Sequence, residues 1–271
     1  MRRLLTISAL ALGMVVPALL GQKQPTPKSK GEVEALQALF GAVDPDSRIK
    51  AAENLLTKYA DTEFKALALF LEAVSYQQKN DYEEMVIYAE RSVQADPKQY
   101  AAMLMLAKGI ASKTREFDLD KEEKLARAEK LAKDAMEILK DATKPNPQLT
   151  DEQWTQGKKE YMAQGHEALG FAAIARKNYD VATSELKLAL EQSPDPVTMV
   201  RLASVYDQTG KPDEALALLD KVMAQQDLHP SIRQFAQAEK VRATQLKSGG
   251  AKPSTQPTTP PAPSQPDAKK Q

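Results

Sequence analysis

Along most of this chain apolar residues recur at three- and four-residue spacing, broken by short polar turns, which predicts amphipathic helices. The clearest stretch runs His166-x2-Leu169-Gly170-x2-Ala173, then Tyr179-x2-Ala182-x3-Leu186-x2-Ala189-x4-Pro194. The same spacing returns in Leu69-x2-Glu72-Ala73-x2-Tyr76 followed by Tyr82-x2-Met85-x3-Ala89-x2-Ser92-x4-Pro97. A third copy reads Met199-x2-Leu202-Ala203-x2-Tyr206, then Gly210-Lys211-Pro212 and Ala215-x3-Leu219-x2-Val222. Each copy predicts two helices joined by a tight turn. A pair of this kind cannot bury its apolar face alone, so successive pairs must stack.

Two further copies depart from the pattern. Met103-x2-Leu106-Ala107-x2-Ile110 opens one, but the matching Ala128-x3-Ala132-x2-Ala135 arrives nine residues late, which predicts an insertion over 113–124. Upstream, Ile49, Ala52, Leu55, Leu56 and Tyr59 keep helical spacing and predict the second helix of a degenerate first unit. Ala73, Ala107, Gly170 and Ala203 predict close approach of the helices within each unit, with Leu69, Leu106, Leu169 and Leu202 filling the space between units. Helix starts are marked by Asp44 ahead of Pro45 and by capping-box patterns at Thr150-x2-Gln153, Asp120-x2-Glu123 and Asn80-x2-Glu83.

In the residues just quoted the chain resembles the tetratricopeptide repeat family over about Glu32 to Lys247. The resemblance implies an all-α, right-handed solenoid of antiparallel helix pairs. The units fall at about 32–62, 63–97, 98–147, 148–195 and 196–228, with a capping helix at 230–247. It further implies a concave groove, lined by the first helix of each pair, that receives a partner peptide or helix. Carried onto this sequence, the groove positions are Phe70, Val74 and Gln77; Leu104 and Lys108; Phe171 and Ile174; and Val200, Ser204 and Asp207, with Arg201 beside them. They are largely apolar. The Lys and Asn pair of the family's chaperone-tail binders is not reproduced, since Phe70 and Val74 stand in its place.

The ends are different material. Met1-Arg2-Arg3 followed by an uncharged run to Gly21 resembles a secretory signal, so 1–21 is expected to be removed on export, the alternative being an uncleaved membrane anchor. An exported protein of this kind would be periplasmic, in a bacterial cell envelope. Residues 22–31 and 248–271 are rich in Pro, Ser, Thr, Gln and Lys, poor in large apolar groups, and expected to be flexible.

Composition narrows the chemistry. There is no cysteine, which excludes a lipid-modified cysteine, a disulfide framework and a thiolate metal site. Without the first 21 residues 35 basic groups face 37 acidic ones, and nothing points to nucleic acid. His166-Glu167 begins like a zinc-protease helix, but Gly170 stands where the second histidine would be. His166 is expected to pack and His229 to mark a turn before the last helix. No nucleophile elbow or phosphate-cradling loop is present. The sequence therefore predicts a non-enzymatic interaction scaffold without cofactor or metal, bound to a protein or peptide. The alternative is a structural subunit of an outer-membrane or secretion assembly that uses its convex face and the 113–124 insertion.

Overall fold

The structure, a computed structural model, describes residues 25–146 and 148–249. The expected signal segment 1–21 and the Pro-rich tail beyond Gly249 lie outside the described residues. Eleven helices account for the regular structure among them: α1 Lys30–Gly41, α2 Pro45–Lys58, α3 Lys65–Gln78, α4 Tyr82–Ala95, α5 Tyr100–Lys113, α6 Lys121–Asp141, α7 Asp151–Ala175, α8 Tyr179–Gln192, α9 Pro196–Gln208, α10 Pro212–Met223 and α11 Pro230–Lys247. The expected all-α fold of packed helix pairs is the one observed. Two compact units divide the chain, Met1–Ala102 and Met103–Gln271, and the boundary falls within α5.

In the first unit each helix packs on the next from α1 to α4. Ala35, Leu36 and Leu39 of α1, Ala52 and Leu55 of α2, and Ala68 and Leu71 of α3 form one buried cluster. Glu32 is buried at its edge, where it accepts a hydrogen bond from Thr62 Oγ1 at 2.6 Å and one from the Lys28 backbone N–H at 2.6 Å. Lys28 Nζ also pairs with Asp61 at 2.8 Å. The stretch before α1, expected to be flexible, is thus tied down at Lys28. In the second unit α6 through α11 pack in succession, with α11 also against α9. Ala107 of α5, Ala132 of α6, and Ala168 and Leu169 of α7 meet in a buried cluster.

The turn within a pair is built identically three times. Asn80, Lys177 and Gly210 have φ of 60°, 61° and 73°. Each donates its N–H three residues back, to Gln77, Ile174 and Asp207. The following residue donates to the carbonyl five residues back, Asp81 to Tyr76, Asn178 to Ala173 and Lys211 to Tyr206. This is a Schellman motif, and it leaves the next residue placed to start the second helix. The expected cap at Asn80 is therefore corrected: Asn80 takes the left-handed position, and Asp81 caps α4 by accepting from the Glu84 N–H. Asp120 likewise makes no side-chain cap; its carboxylate pairs with Lys124 at 2.9 Å. Asp44 caps α2, and Thr150 and Gln153 form the expected capping box.

Asn80 and Lys177 both carry a Cβ at left-handed φ, which costs about 1 kcal/mol or more, and Lys177 lacks the short polar side chain that lets asparagine tolerate it. Lys177→Gly and Lys177→Ala both delete its exposed pair with Glu116. They differ in the Cβ alone. Urea unfolding is expected to show the glycine variant more stable than the alanine variant by about 1 kcal/mol, the reverse of their order inside a helix. Equal midpoints would mean the turn relaxes without strain.

The 113–124 insertion divides into a loop, 114–120, and an early start to α6. The Asp118 carboxylate accepts the Arg115 N–H at 3.1 Å and pairs with Lys124 at 3.3 Å, while Glu116 pairs with Lys177 and Glu122 with Arg176. The loop is thus pinned to the turn that starts α8.

Candidate functional site

The expected groove residues separate by unit. Phe70 and Val74 are half-buried and Gln77 is exposed on α3, in the first unit. The second unit holds the others, on α5, α7 and α9. Here the expectation of an open apolar lining needs correction. Leu104 is 0% exposed, Phe171 and Val200 6% and Asp207 1%. Leu104 sits against the backbone of α7 at Gly165, and the Arg201 guanidinium lies 4.9 Å from the centre of the Phe171 ring. These four side chains build the core between helices. Lys108, Ile174, Arg201 and Ser204 remain partly open to solvent.

The polar centre of this face is Glu167, which sequence reading considered only as part of a failed zinc motif. Its side chain is 7% exposed, and it accepts from Lys108 Nζ of α5 and from Thr198 Oγ1 of α9. The Thr198 hydroxyl also lies 3.0 Å from Asp195, the α9 N-cap, which accepts the Thr198 N–H at 2.8 Å. Burial works against the charge on Lys108, but the Glu167 carboxylate outweighs it and holds the lysine pKa above its usual value. Glu167 thus links α5, α7 and α9. A signal for this existed: in repeat register Glu167 falls where the other copies have Phe70, Leu104 and Val200, so a carboxylate there must find donors or be expelled.

Arg201 is left in a different state. Burial pulls its pKa down to about 10, only partly opposed by Glu167, and its Nε finds no hydrogen-bond partner among the described residues. Lys108 donates a hydrogen bond to Glu167 and keeps its side chain 41% exposed. Lys108 on α5 and the partly exposed Arg201 on α9 therefore flank a carboxylate whose two oxygens are already taken. Such a face can accept a carboxylate or an acidic side chain.

His166 joins α7 to α8 by an Nδ1 contact to Glu185 at 2.8 Å. His229 caps α11, its Nδ1 accepting the Ser231 N–H at 3.3 Å. No group of three or more His, Cys, Asp or Glu that could hold a metal is present among the described residues. Nor is any described helix long and apolar enough to cross a membrane.

Models of the tetratricopeptide repeat match 66–99, which covers α3 and α4, and 173–239, which covers α8, α9, α10 and part of α11. These stretches are tetratricopeptide repeats. A thermophilic TPR protein of Thermus thermophilus has the same fold, with a TM-score of 0.54 at 20% identity over 78% of this chain and 99% of that one. A tetratricopeptide repeat protein of Parabacteroides merdae matches at TM-score 0.39 and 16% identity, over 82% of this chain and 94% of that one. No curated protein matches the chain significantly. Proteins built from these repeats generally mediate protein–protein interactions.

Proposed function

We propose that the chain is a non-enzymatic adaptor, exported to a bacterial cell envelope, that holds a partner peptide or helix on the face formed by α5, α7 and α9. The observation that carries this is Arg201, a half-buried cation stacked on Phe171 with a donor unspent, beside the Lys108–Glu167 pair. Holding a cation partly desolvated is costly in the free protein, and an acidic group brought by a partner to the exposed part of the guanidinium lowers that cost. The export of the chain rests on residues 1–21, and the choice of partner on this cationic face. On this reading the contact is made by Lys108 and Arg201, and not by the apolar groove first expected.

A second reading rests on the insertion loop. Phe117 and Leu119 are 89% and 107% exposed there, on a loop fixed by ion pairs, as befits an anchor for a larger assembly. Affinity purification from envelope extract separates the two. Arg201→Met is expected to weaken binding of the recovered and purified partner at least tenfold, about 1.4 kcal/mol, while Phe117→Ser with Leu119→Ser leaves it unchanged. The reverse pattern overturns the cationic face in favour of the loop.

A further inference from the structure

The seam between α9 and α11 holds a second charged cluster that the proposed binding face does not use. Asp207 of α9 is 1% exposed and neither carboxylate oxygen has a hydrogen-bond donor among the described residues. Glu239 of α11 acts on it from across the seam, and the Glu239 Oε1 is itself buried without a hydrogen bond. Arg242, one turn along α11, lies 4.0 Å from Glu239 Oε1 and leaves its Nε unpaired. Two carboxyl groups thus share one arginine, whose Nε–H bonds neither of them.

The other side of α11 is held differently. Lys240 pairs with Asp220 at 2.5 Å and Lys247 with Asp213 at 2.6 Å, both on the exposed flank against α10. From α8, also packed on α9, the nearby charge is Lys187, 5.9 Å from the ring centre of Tyr206, the residue before Asp207. The charges acting on Asp207 itself are Glu239 and Arg242, both from α11.

We propose that Asp207, buried on α9 and facing Glu239 of α11, is a proton-operated latch: with Asp207 protonated α11 is seated on α9, and with Asp207 ionised the seam loosens while α11 stays attached to α10. Like charges facing each other in a buried seam cannot both ionise without cost, so protonation closes the contact. Burial first, and Glu239 second, push Asp207 up to about 7, with Arg242 opposing them. The sign follows from linkage. In the opened seam Asp207 returns to an ordinary carboxylate value near 4. The closed seam is therefore favoured fully below that value, loses tenfold per pH unit as pH rises towards about 7, and stays level above it.

Amide hydrogen exchange across α11 of the full chain, corrected for intrinsic rates, tests this. Opening of the seam is expected to rise by about 50-fold from pH 5 to pH 7 and to level off within about a further twofold above that. Asp207→Asn, which keeps the shape and removes the ionisation, is expected to flatten that profile. Glu239→Gln is expected to shrink it, because burial still raises Asp207. A separate carboxyl-carbon NMR titration of the unmodified chain should show a step near pH 7 that Asp207→Asn abolishes. A flat exchange profile in the unmodified chain, or an unchanged pH dependence in Asp207→Asn, overturns the latch. Neither outcome bears on the cationic face around Arg201, which partner binding tests independently.

Discussion

Replacing Glu72 by leucine is expected to stabilise the protein by about 3 kcal/mol at pH 7, an unusual direction for a substitution in a core. Glu72 is 1% exposed, and its Oε2 has no hydrogen-bond partner among the described residues. Burial, with a small addition from Glu53 of α2, pushes its pKa up to about 8 against the pull of Arg91 of α4. Folding therefore forces a group that ionises at an ordinary value near 4.5 to take up a proton at neutral pH. Each unit between 4.5 and the working pH costs about 1.4 kcal/mol, which at pH 7 gives the figure above. The residues in register with Glu72, each just ahead of the small residue of its copy, are Leu106, Leu169 and Leu202. Leucine fits that place in three copies.

The pH dependence gives the sharper check. For an acid whose folded pKa is raised, stability is untouched below the unfolded value and falls as pH rises towards the folded one, here from about 4.5 to about 8. In Glu72→Leu this slope should vanish. The difference between the two proteins in urea unfolding should therefore grow from pH 5 to pH 8. A difference that stays constant across that range, or a leucine variant less stable than the parent at pH 7, would mean Glu72 has found a partner in solution.

Glu72 also marks the limit of what periodicity can tell. The spacing of Ala73, Gly170 and Ala203 fixed which helices approach closely, because a small residue at a fixed place in a 3.6-residue period has one structural use. It also led Leu69 to be grouped with Leu106, Leu169 and Leu202, though Leu69 stands three residues earlier in its copy and Glu72 is their counterpart. The buried polar residues were harder. A glutamate in an amphipathic helix reads as solvated unless the copies are compared position by position, and Glu167 and Glu72 both occupy places that are apolar elsewhere. Their fates differ through neighbours that sequence spacing does not bring together: Lys108 and Thr198 reach Glu167 from two other helices, whereas Arg91 acts on Glu72 without bonding its Oε2. The groove was misjudged for a related reason. Apolar residues on the first helix of each pair were expected to face a partner, but packing between α7 and α9 covers Phe171 with Arg201.

Gly170 tests the register itself. A Cβ placed on Gly170 would lie 2.8 Å from Leu186 Cδ2 and 2.9 Å from its Cγ. Leu186 is 0% exposed, and the clash falls on its branch point, so the contact cannot be relieved by moving the end of a flexible chain. Gly170→Ala is therefore expected to cost about 1–3 kcal/mol, although alanine is the better helix former by about 1 kcal/mol. Gly165 is a second such site: its added Cβ would lie 2.5 Å from both Cγ and Sδ of Met136, atoms in the middle of the side chain, with Leu104 Cδ2 at 3.4 Å, so Gly165→Ala should also cost about 1–3 kcal/mol. The decisive comparison is made in a Leu186→Ala background, itself expected to cost about 2–5 kcal/mol. With the branched side chain gone, Gly170→Ala should change sign and stabilise the chain by up to about 1 kcal/mol through helix propensity alone. If Gly170→Ala costs the same in both backgrounds, Gly170 and Leu186 do not touch, and the pairing of α7 with α8 read from the repeat is wrong.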